Sequence, residues 1–119
     1  MNMDGTVKSH KKISGDSGSL KDLLFAGDQF VRSLTNIGDF DKDGVNDLAV
    51  GSPGFDDEGL DRGAIWILYL DADGSVDRKR EISASESDFN LPIIDGDNFG
   101  EVVANADDID ENGTIDLAV

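Results

Sequence analysis

The chain has 119 residues, enough for one domain of ordinary size. Its 26 acidic and 10 basic side chains give a formal net charge of −16, which disfavours nucleic-acid phosphate and anionic membranes as partners and favours cations. There is no cysteine, which excludes disulfides and thiolate metal sites, and no apolar run approaches the roughly 20 residues of a membrane-spanning helix.

The chain repeats itself with a period of 69 residues. Residues 4–50 align with residues 73–119 without a gap, and 16 of the 47 positions are identical. The densest block of identities, residues 39–50, recurs as residues 108–119. A fixed period indicates one supersecondary unit that must stack on its neighbour to bury its apolar face. Residues 51–72 occur once, so we expect one whole unit with parts of two others.

Short apolar segments between turn signals predict an all-β fold, because none has the length or period of an amphipathic helix. In chain order the predicted strands are residues 6–13, 30–37, 47–52, 64–70, 75–82, 99–106 and 116–119. Residues 64–70 are apolar on both faces, which predicts a strand buried between two layers. Residues 6–13 and 75–82 carry six of the ten basic side chains, which predicts solvent-facing outer strands.

The strongest chemical signal is an acidic loop that occurs in both copies, at residues 39–47 and 108–116. Calcium takes about six to eight oxygen ligands, and this spacing supplies side-chain oxygens at loop positions one, three, five and nine. Glycine at position six permits a sharp turn, and position seven offers a backbone carbonyl. The predicted ligands of the first site are Asp39, Asp41, Asp43, Asp47 and the carbonyl of Val45. Those of the second, less charged site are Asp108, Asp110, Asn112, Asp116 and the carbonyl of Thr114.

Other cations and other calcium loops fit this pattern less well. Magnesium prefers strict octahedral geometry with retained water, and zinc usually recruits His or Cys. The single histidine, His10, lies among lysines in a predicted outer strand. An EF-hand loop ends in a bidentate glutamate at position twelve, where this chain has Val50 and Val119 inside apolar runs. Each loop is therefore expected to lead into a strand and to act as a metal-held β-hairpin.

Three stretches together carry a family resemblance. They are the Phe-Gly element at residues 96–100, the Asp-rich loops, and the Asp-Leu-Ala-Val-Gly-Ser-Pro-Gly stretch at residues 47–54 that leads to Gly-Ala-Ile-Trp. These features resemble the FG-GAP repeats of integrin α-subunit propellers and of many large bacterial surface or secreted proteins. Ser52 stands in place of the alanine of the Gly-Ala-Pro element, and Val31 replaces the glycine that follows Phe30 in the first copy.

This resemblance implies a β-propeller blade of four antiparallel strands, with a calcium loop joining the first two. Residues 28–83 then form a complete blade. Residues 1–27 supply the outer strand of a preceding blade and a linker, and residues 84–119 a linker and the first two strands of the next blade. Uncovered blade edges predict self-association, for instance by pairing of residues 6–13 with the strands that end at Val119 in another molecule.

The expected function is that of a non-catalytic, calcium-binding structural or adhesive protein-interaction module of an extracellular or cell-surface protein. No signal peptide is visible in residues 1–12. The alternative is a carbohydrate-binding, lectin-like propeller with Trp66 and Tyr69 as stacking residues, although their place in a continuous apolar strand favours core packing.

Hydrolysis is the third hypothesis, because paired carboxylates such as Asp56 with Asp57, or Asp95 with Asp97, can serve as acid and base. No apolar run surrounds residues 56–58 to raise the pKa of a carboxylic acid, and no nucleophile or phosphate-binding motif is present. The sequence therefore predicts that the chain is not an enzyme.

Overall fold

Two antiparallel sheets form the framework of the chain. The computed structural model describes residues 1–15, 18–21, 23–85 and 92–119. The strands of the larger sheet are β1 (Ser33–Gly38), β2 (Asp47–Ser52), β3 (Ala64–Leu70) and β4 (Val76–Ile82), in the spatial order β1-β2-β3-β4. The smaller sheet pairs β5 (Ala104–Asn105) with β6 (Leu117–Ala118), and Gly18–Leu20 form a single 3₁₀ turn. The predicted all-β fold with one four-stranded antiparallel blade is confirmed.

The four-stranded sheet is a meander whose register is interrupted twice. The β1–β2 ladder runs from Ser33 opposite Gly51 to Gly38 opposite Asp47, with an irregularity between Asn36 and Gly38. A second irregularity lies in the β3–β4 ladder beside Tyr69. Gly38 has a φ of 72°, a left-handed conformation that glycine adopts without steric penalty. Because β1 ends at Gly38, the first irregularity lies where the chain leaves β1 and enters the acidic loop.

Strand β3 is buried on both faces, as its apolar sequence predicts. Alternate side chains of a strand point to opposite faces, and Ile65 and Ile67 face one layer while Trp66 and Leu68 face the other. All four are at most 5% exposed. The first face packs against residues of the second repeat, which are Phe99, Val103, Ile115 and Leu117. The second face packs against residues from the N-terminal part, which are Ile13, Leu20, Leu24 and Phe30.

The two repeats meet backbone to backbone. Gly63 forms a parallel bridge with Phe99, and the Phe99 N–H donates to the carbonyl of Arg62 at 2.9 Å. A Cβ on Gly100, which has a φ of 87°, would lie 2.5 Å from the carbonyl oxygen of Ala64. A Cβ on Gly51 would lie 1.8 Å from the carbonyl oxygen of Gly100. Only glycine at positions 51 and 100 allows this approach of the two backbones.

The first predicted strand, residues 6–13, is wrong as secondary structure, because the structure assigns no strand there. An outer strand needs a neighbouring backbone with which to pair, and none of the described strands lies alongside this segment. Its predicted anchor Val7 is 72% exposed. The segment is instead attached to the β3–β4 turn by an ion pair between Lys11 and Asp73 at 3.0 Å.

The strands that open each repeat begin later than predicted, at residue 33 instead of 30 and at residue 104 instead of 99. Gln29 and Val31 have φ angles of 52° and 66°, and Asn98 and Gly100 have 54° and 87°. Left-handed residues interrupt a strand, so both copies delay it by the same local geometry. The linker predicted after residue 83 includes residues 86–91, which lie outside the described residues.

Candidate metal centre

The first acidic loop joins β1 to β2 and gathers three carboxylates. One oxygen from each of Asp39, Asp41 and Asp43 lies within 4.8 Å of the others. The loop is closed by its own backbone, since the N–H groups of Asp43 and Gly44 each donate to one carboxylate oxygen of Asp39 at 2.9 Å. Gly44 has a φ of 94°, as the sharp turn at loop position six requires.

The second acidic loop joins β5 to β6 and repeats this geometry. Its group consists of Asp108, Asp110 and Asp116, so position nine supplies the third carboxylate here, whereas position five supplies it in the first loop. The N–H groups of Asn112 and Gly113 donate to the two oxygens of Asp108 at 2.9 and 2.8 Å, the same pair of bonds as in the first loop. Two segments 69 residues apart in sequence therefore fold into one loop conformation.

Asp47, predicted as the position-nine ligand of the first site, lies apart from its three-carboxylate group. It is fully buried, and its two oxygens accept the N–H groups of Phe40 and Leu70, each at 3.0 Å. Its counterpart Asp116 accepts the N–H of Ile109 at 2.9 Å but is only half-buried and remains within its group. Asp47 thus ties the acidic loop to β3, a structural role that its spacing alone did not reveal.

The position-five and position-seven residues of each loop contact each other. The Val45 N–H donates to Asp43 at 2.7 Å, and the Thr114 N–H donates to Asn112 at 2.8 Å. Asn112 also donates its side-chain amide to Asp110 at 3.0 Å. The use of the Val45 and Thr114 carbonyls as ligands stays a prediction.

The donor chemistry of both loops fits a hard cation. Every side-chain ligand candidate offers oxygen, and a hard divalent ion such as Ca²⁺ prefers carboxylate, amide and carbonyl oxygens. The loops are open to solvent at Asp39, Asp43 and Asp108, which are exposed, so an ion can enter without rearrangement of the sheet. His10 belongs to neither acidic group within the part of the chain that the structure describes.

Sequence reasoning missed one basic residue at the first loop. Arg78 on β4 forms an ion pair with Asp41, and its guanidinium carbon lies 4.2 Å from the centre of the Tyr69 ring. Tyr69 in turn lies 6.3 Å from the ring of Phe40, the second residue of the loop. The alternation of side chains along β4 could have predicted this contact, because Arg78 lies opposite Tyr69 in the β3–β4 ladder.

The residues proposed for sugar stacking are engaged inside the fold. Trp66 is 1% exposed, and its ring meets Phe55 edge to face at a centroid distance of 5.4 Å. Lys79 lies over the Trp66 ring at 4.9 Å. Tyr69 is half-buried beneath Arg78. The prediction that Trp66 packs in the core is confirmed.

Asp57, one of the paired carboxylates proposed for hydrolysis, has a lowered pKa where a general acid needs a raised one. Partial burial raises the pKa of Asp57, but hydrogen bonds from Ser83 and Ser85 and the nearby charge of Arg62 outweigh it and leave the pKa below its ordinary value. Asp95 is held in an ion pair with Arg62 at 2.8 Å. These carboxylates stabilise turns around the junction of the repeats.

The fold and its loops define a class of repeat. A four-stranded antiparallel meander, with an acidic loop between its first two strands and one face packed on the next copy, is a β-propeller blade. Comparison with known proteins agrees with this assignment. A family model described as FG-GAP repeat matches residues 30–68.

Curated relatives extend the match over most of the chain. The chain is 33% identical over 115 residues to integrin alpha-PS5 of Drosophila melanogaster, an alignment that covers 97% of this chain and 10% of the relative. It is 34% identical over 101 residues to human integrin alpha-IIb, covering 82% of this chain and 9% of the relative. Integrin alpha-4 of Xenopus laevis is 29% identical over 111 residues, covering 87% and 10%.

The chain belongs to the FG-GAP repeat family and is integrin alpha-like over the matched residues. It spans about a tenth of the length of the curated relatives that it matches. In the described portion, no helix combines the length and apolar character that a bilayer crossing demands.

Proposed function

We propose that this chain is a non-catalytic, calcium-stabilised β-propeller module of an extracellular or cell-surface protein, and that it acts in protein–protein adhesion. The observation that carries the calcium part is that both acidic loops close with the same hydrogen bonds, to Asp39 and to Asp108, and that each gathers three carboxylates. Asp39, Asp41 and Asp43 in one copy, and Asp108, Asp110 and Asp116 in the other, bring three carboxylates within 4.8 Å. The family of the chain supports the adhesive part, because the matched relatives are integrin alpha chains.

Calcium would stabilise the fold by two physical routes. Three clustered carboxylates repel one another, and a divalent cation removes that repulsion in a chain whose net charge is −16. An ion that binds only the folded state also adds about 2.7 kcal/mol of stability when its free concentration is a hundredfold above the dissociation constant. Each loop closes a hairpin of inner strands, so the added stability acts on the strands that hold the repeats together.

The direct test is thermal unfolding in EDTA, in calcium and in magnesium, followed by circular dichroism. We expect calcium to raise the melting temperature above its value in EDTA, and magnesium to raise it less. The double variant Asp41→Asn with Asp110→Asn should lose most of the calcium-dependent increase. Glu101→Gln removes a carboxylate outside both loops, where Glu101 lies 3.8 Å from Arg32, and should keep the increase. Equal melting temperatures in EDTA and calcium for the unsubstituted chain would refute the calcium part.

The carbohydrate alternative lacks an available ring at its proposed positions, because Trp66 is buried and Tyr69 is covered by Arg78. A glycan array provides the test of that alternative. We expect no glycan to bind in either calcium or EDTA, whereas calcium-dependent binding of a defined glycan would favour the lectin reading.

Self-association through open blade edges is part of the same proposal. Strands β1 and β4 are the edges of the larger sheet, and an apolar cleft of about 270 Å³ opens beside the place where that sheet packs on the second repeat. The cleft is lined by Ile37, Phe40, Ile67, Tyr69, Arg80, Ile82, Ile115, Asp116 and Leu117. Exposed edges and apolar clefts favour pairing between chains. Light scattering over a range of concentrations should show dimers or larger species, and a monodisperse monomer at the highest concentration would contradict this.

A further inference from the structure

We propose that Arg78 is a built-in competitor for the first acidic loop, so that a bound calcium ion must displace its guanidinium from Asp41. This inference rests on the proposed calcium function and concerns which of the two loops binds the ion more tightly. It starts from the contacts of Asp41, the position-three carboxylate of the first loop.

Both oxygens of Asp41 are engaged within the chain. One accepts the N–H of Asp43 at 3.3 Å, and the other accepts the guanidinium of Arg78. A cation that uses Asp41 as a ligand must therefore share an oxygen with one of these donors. The backbone N–H bond is long and weak, whereas the guanidinium carries a full positive charge that repels a second cation.

Arg78 is held in this position from more than one side. Its guanidinium lies 4.2 Å from the centre of the Tyr69 ring, and its Nε lies 3.5 Å from a carboxylate oxygen of Asp77. Cation–π stacking and the second carboxylate keep the side chain over the loop. The side chain of Asp41 is only 18% exposed, so solvent screens this ion pair less than an open surface pair.

The second loop provides an internal comparison at the equivalent carboxylate. The two oxygens of Asp110 accept the backbone N–H of Asn112 at 3.2 Å and its side-chain amide at 3.0 Å. A neutral amide takes the place that the guanidinium occupies in the first loop. A cation that takes this oxygen of Asp110 displaces a neutral amide and has no positive charge to expel.

From the sequence alone, the first loop would be expected to bind calcium more tightly than the second. The first loop has Asp43 where the second has Asn112, and more carboxylates normally bind calcium more tightly. Arg78 offsets that extra negative charge. We therefore expect the affinity of the first loop to be reduced towards or below that of the second, and the ion to release Arg78 from the loop when it binds.

The test is calcium titration by isothermal calorimetry in the background Asp110→Asn, which weakens the second loop and isolates the first. Arg78→Gln should raise the affinity of the first loop about twofold to fivefold, the range that a surface ion pair supports, because the Arg78 side chain is still 54% exposed. Lys79→Gln is the matched control, because it removes the same charge from the neighbouring position on the opposite face, where Lys79 lies over Trp66. It should change the affinity by much less than Arg78→Gln does.

The possible outcomes distinguish failure of this inference from failure of the proposed calcium function. Equal affinities of Arg78→Gln and Lys79→Gln would show that only the net charge matters, and a lower affinity of Arg78→Gln would show that Arg78 supports the loop. Either result overturns the inference while calcium binding stands. Absence of calcium binding to the unsubstituted chain would instead remove the proposed calcium function. Melting temperatures in EDTA identify any variant that fails to fold. If Arg78→Gln fails to fold, Arg78→Lys replaces it in the titration. Its increase in affinity should lie between the changes expected for Arg78→Gln and Lys79→Gln.

Discussion

The close contact between the repeats predicts that a single added methyl group destabilises the chain. Gly100 packs against the first repeat so closely that a Cβ would lie 2.5 Å from the carbonyl oxygen of Ala64 and 3.3 Å from the Cα of Gly51. Gly100→Ala should therefore destabilise the chain by forcing the two repeats apart. The matched control is Gly96→Ala, because Gly96 has a similar φ of 83° and no heavy atom within 4 Å of its hypothetical Cβ.

The expected loss in the free energy of unfolding is the sum of separate contributions. A left-handed backbone costs about 1–2 kcal/mol for a residue with a Cβ, and loss of glycine's freedom in the unfolded chain returns about 0.4–1 kcal/mol. Both variants share these effects, so Gly96→Ala should lose about 1 kcal/mol or less. The clash at Gly100 adds the overpacking of a close contact, about 1–3 kcal/mol. The difference between the two variants is then about 2 kcal/mol, or about 8 °C in melting temperature for a domain of this size.

Urea denaturation measures this difference at constant temperature. The midpoint of Gly100→Ala should fall well below that of Gly96→Ala, while the slope stays similar if the chain still unfolds as one unit. Gly51→Ala approaches the same contact from the other repeat, and its Cβ would lie 1.8 Å from the carbonyl oxygen of Gly100. It should lose at least as much stability. If Gly100→Ala were no less stable than Gly96→Ala, the close packing of the repeats would be refuted.

Two further predictions concern buried and partly buried carboxylates. Asp47→Asn should cost about 1–3 kcal/mol in EDTA, because the side chain is fully buried and an amide can accept only one of the two N–H groups that now donate to Asp47. Asp43→Asn, which keeps its acceptor for Val45, should change stability by no more than about 0.5 kcal/mol under the same conditions, and equal losses would contradict the structural role of Asp47. Asp57 has a folded pKa below its ordinary value of 3.8, so the stability it contributes is present above about pH 4 and is lost as the pH falls through the folded pKa. Acid unfolding followed by tryptophan fluorescence should be shallower below pH 4 in Asp57→Asn, and an unchanged profile would show that its hydrogen bonds with Ser83 and Ser85 do not affect stability.

Much of the blade could be predicted because its signals are local. Strands β2 and β3 have the predicted bounds, residues 47–52 and 64–70. Strand β3 is a continuous apolar run between Gly63 and Asp71, and β2 contains a short apolar run that is followed by Gly51 and ends before Pro53. The acidic loops were equally visible, because their carboxylates lie within nine residues of one another. The 69-residue period places the two loops at equivalent positions of the repeat, and their hydrogen bonds to Asp39 and Asp108 match.

The features that escaped the sequence depend on partners far along the chain. Asp47 is fixed by Leu70, 23 residues away, and Asp41 by Arg78, 37 residues away. Spacing within the loop carries no information about either partner. The late start of β1 has a different origin, since left-handed φ angles at a Gln and at a β-branched Val are rare and no residue-type preference predicts them.

The burial of β3 on both faces has a consequence for cooperativity. One face holds the second repeat and the other holds the N-terminal part, so loss of either layer uncovers the same strand. Neither layer can therefore melt on its own without weakening the support of the other. The chain should absorb heat in one calorimetric transition whose van't Hoff and calorimetric enthalpies agree, although its sequence is assembled from pieces of successive repeats.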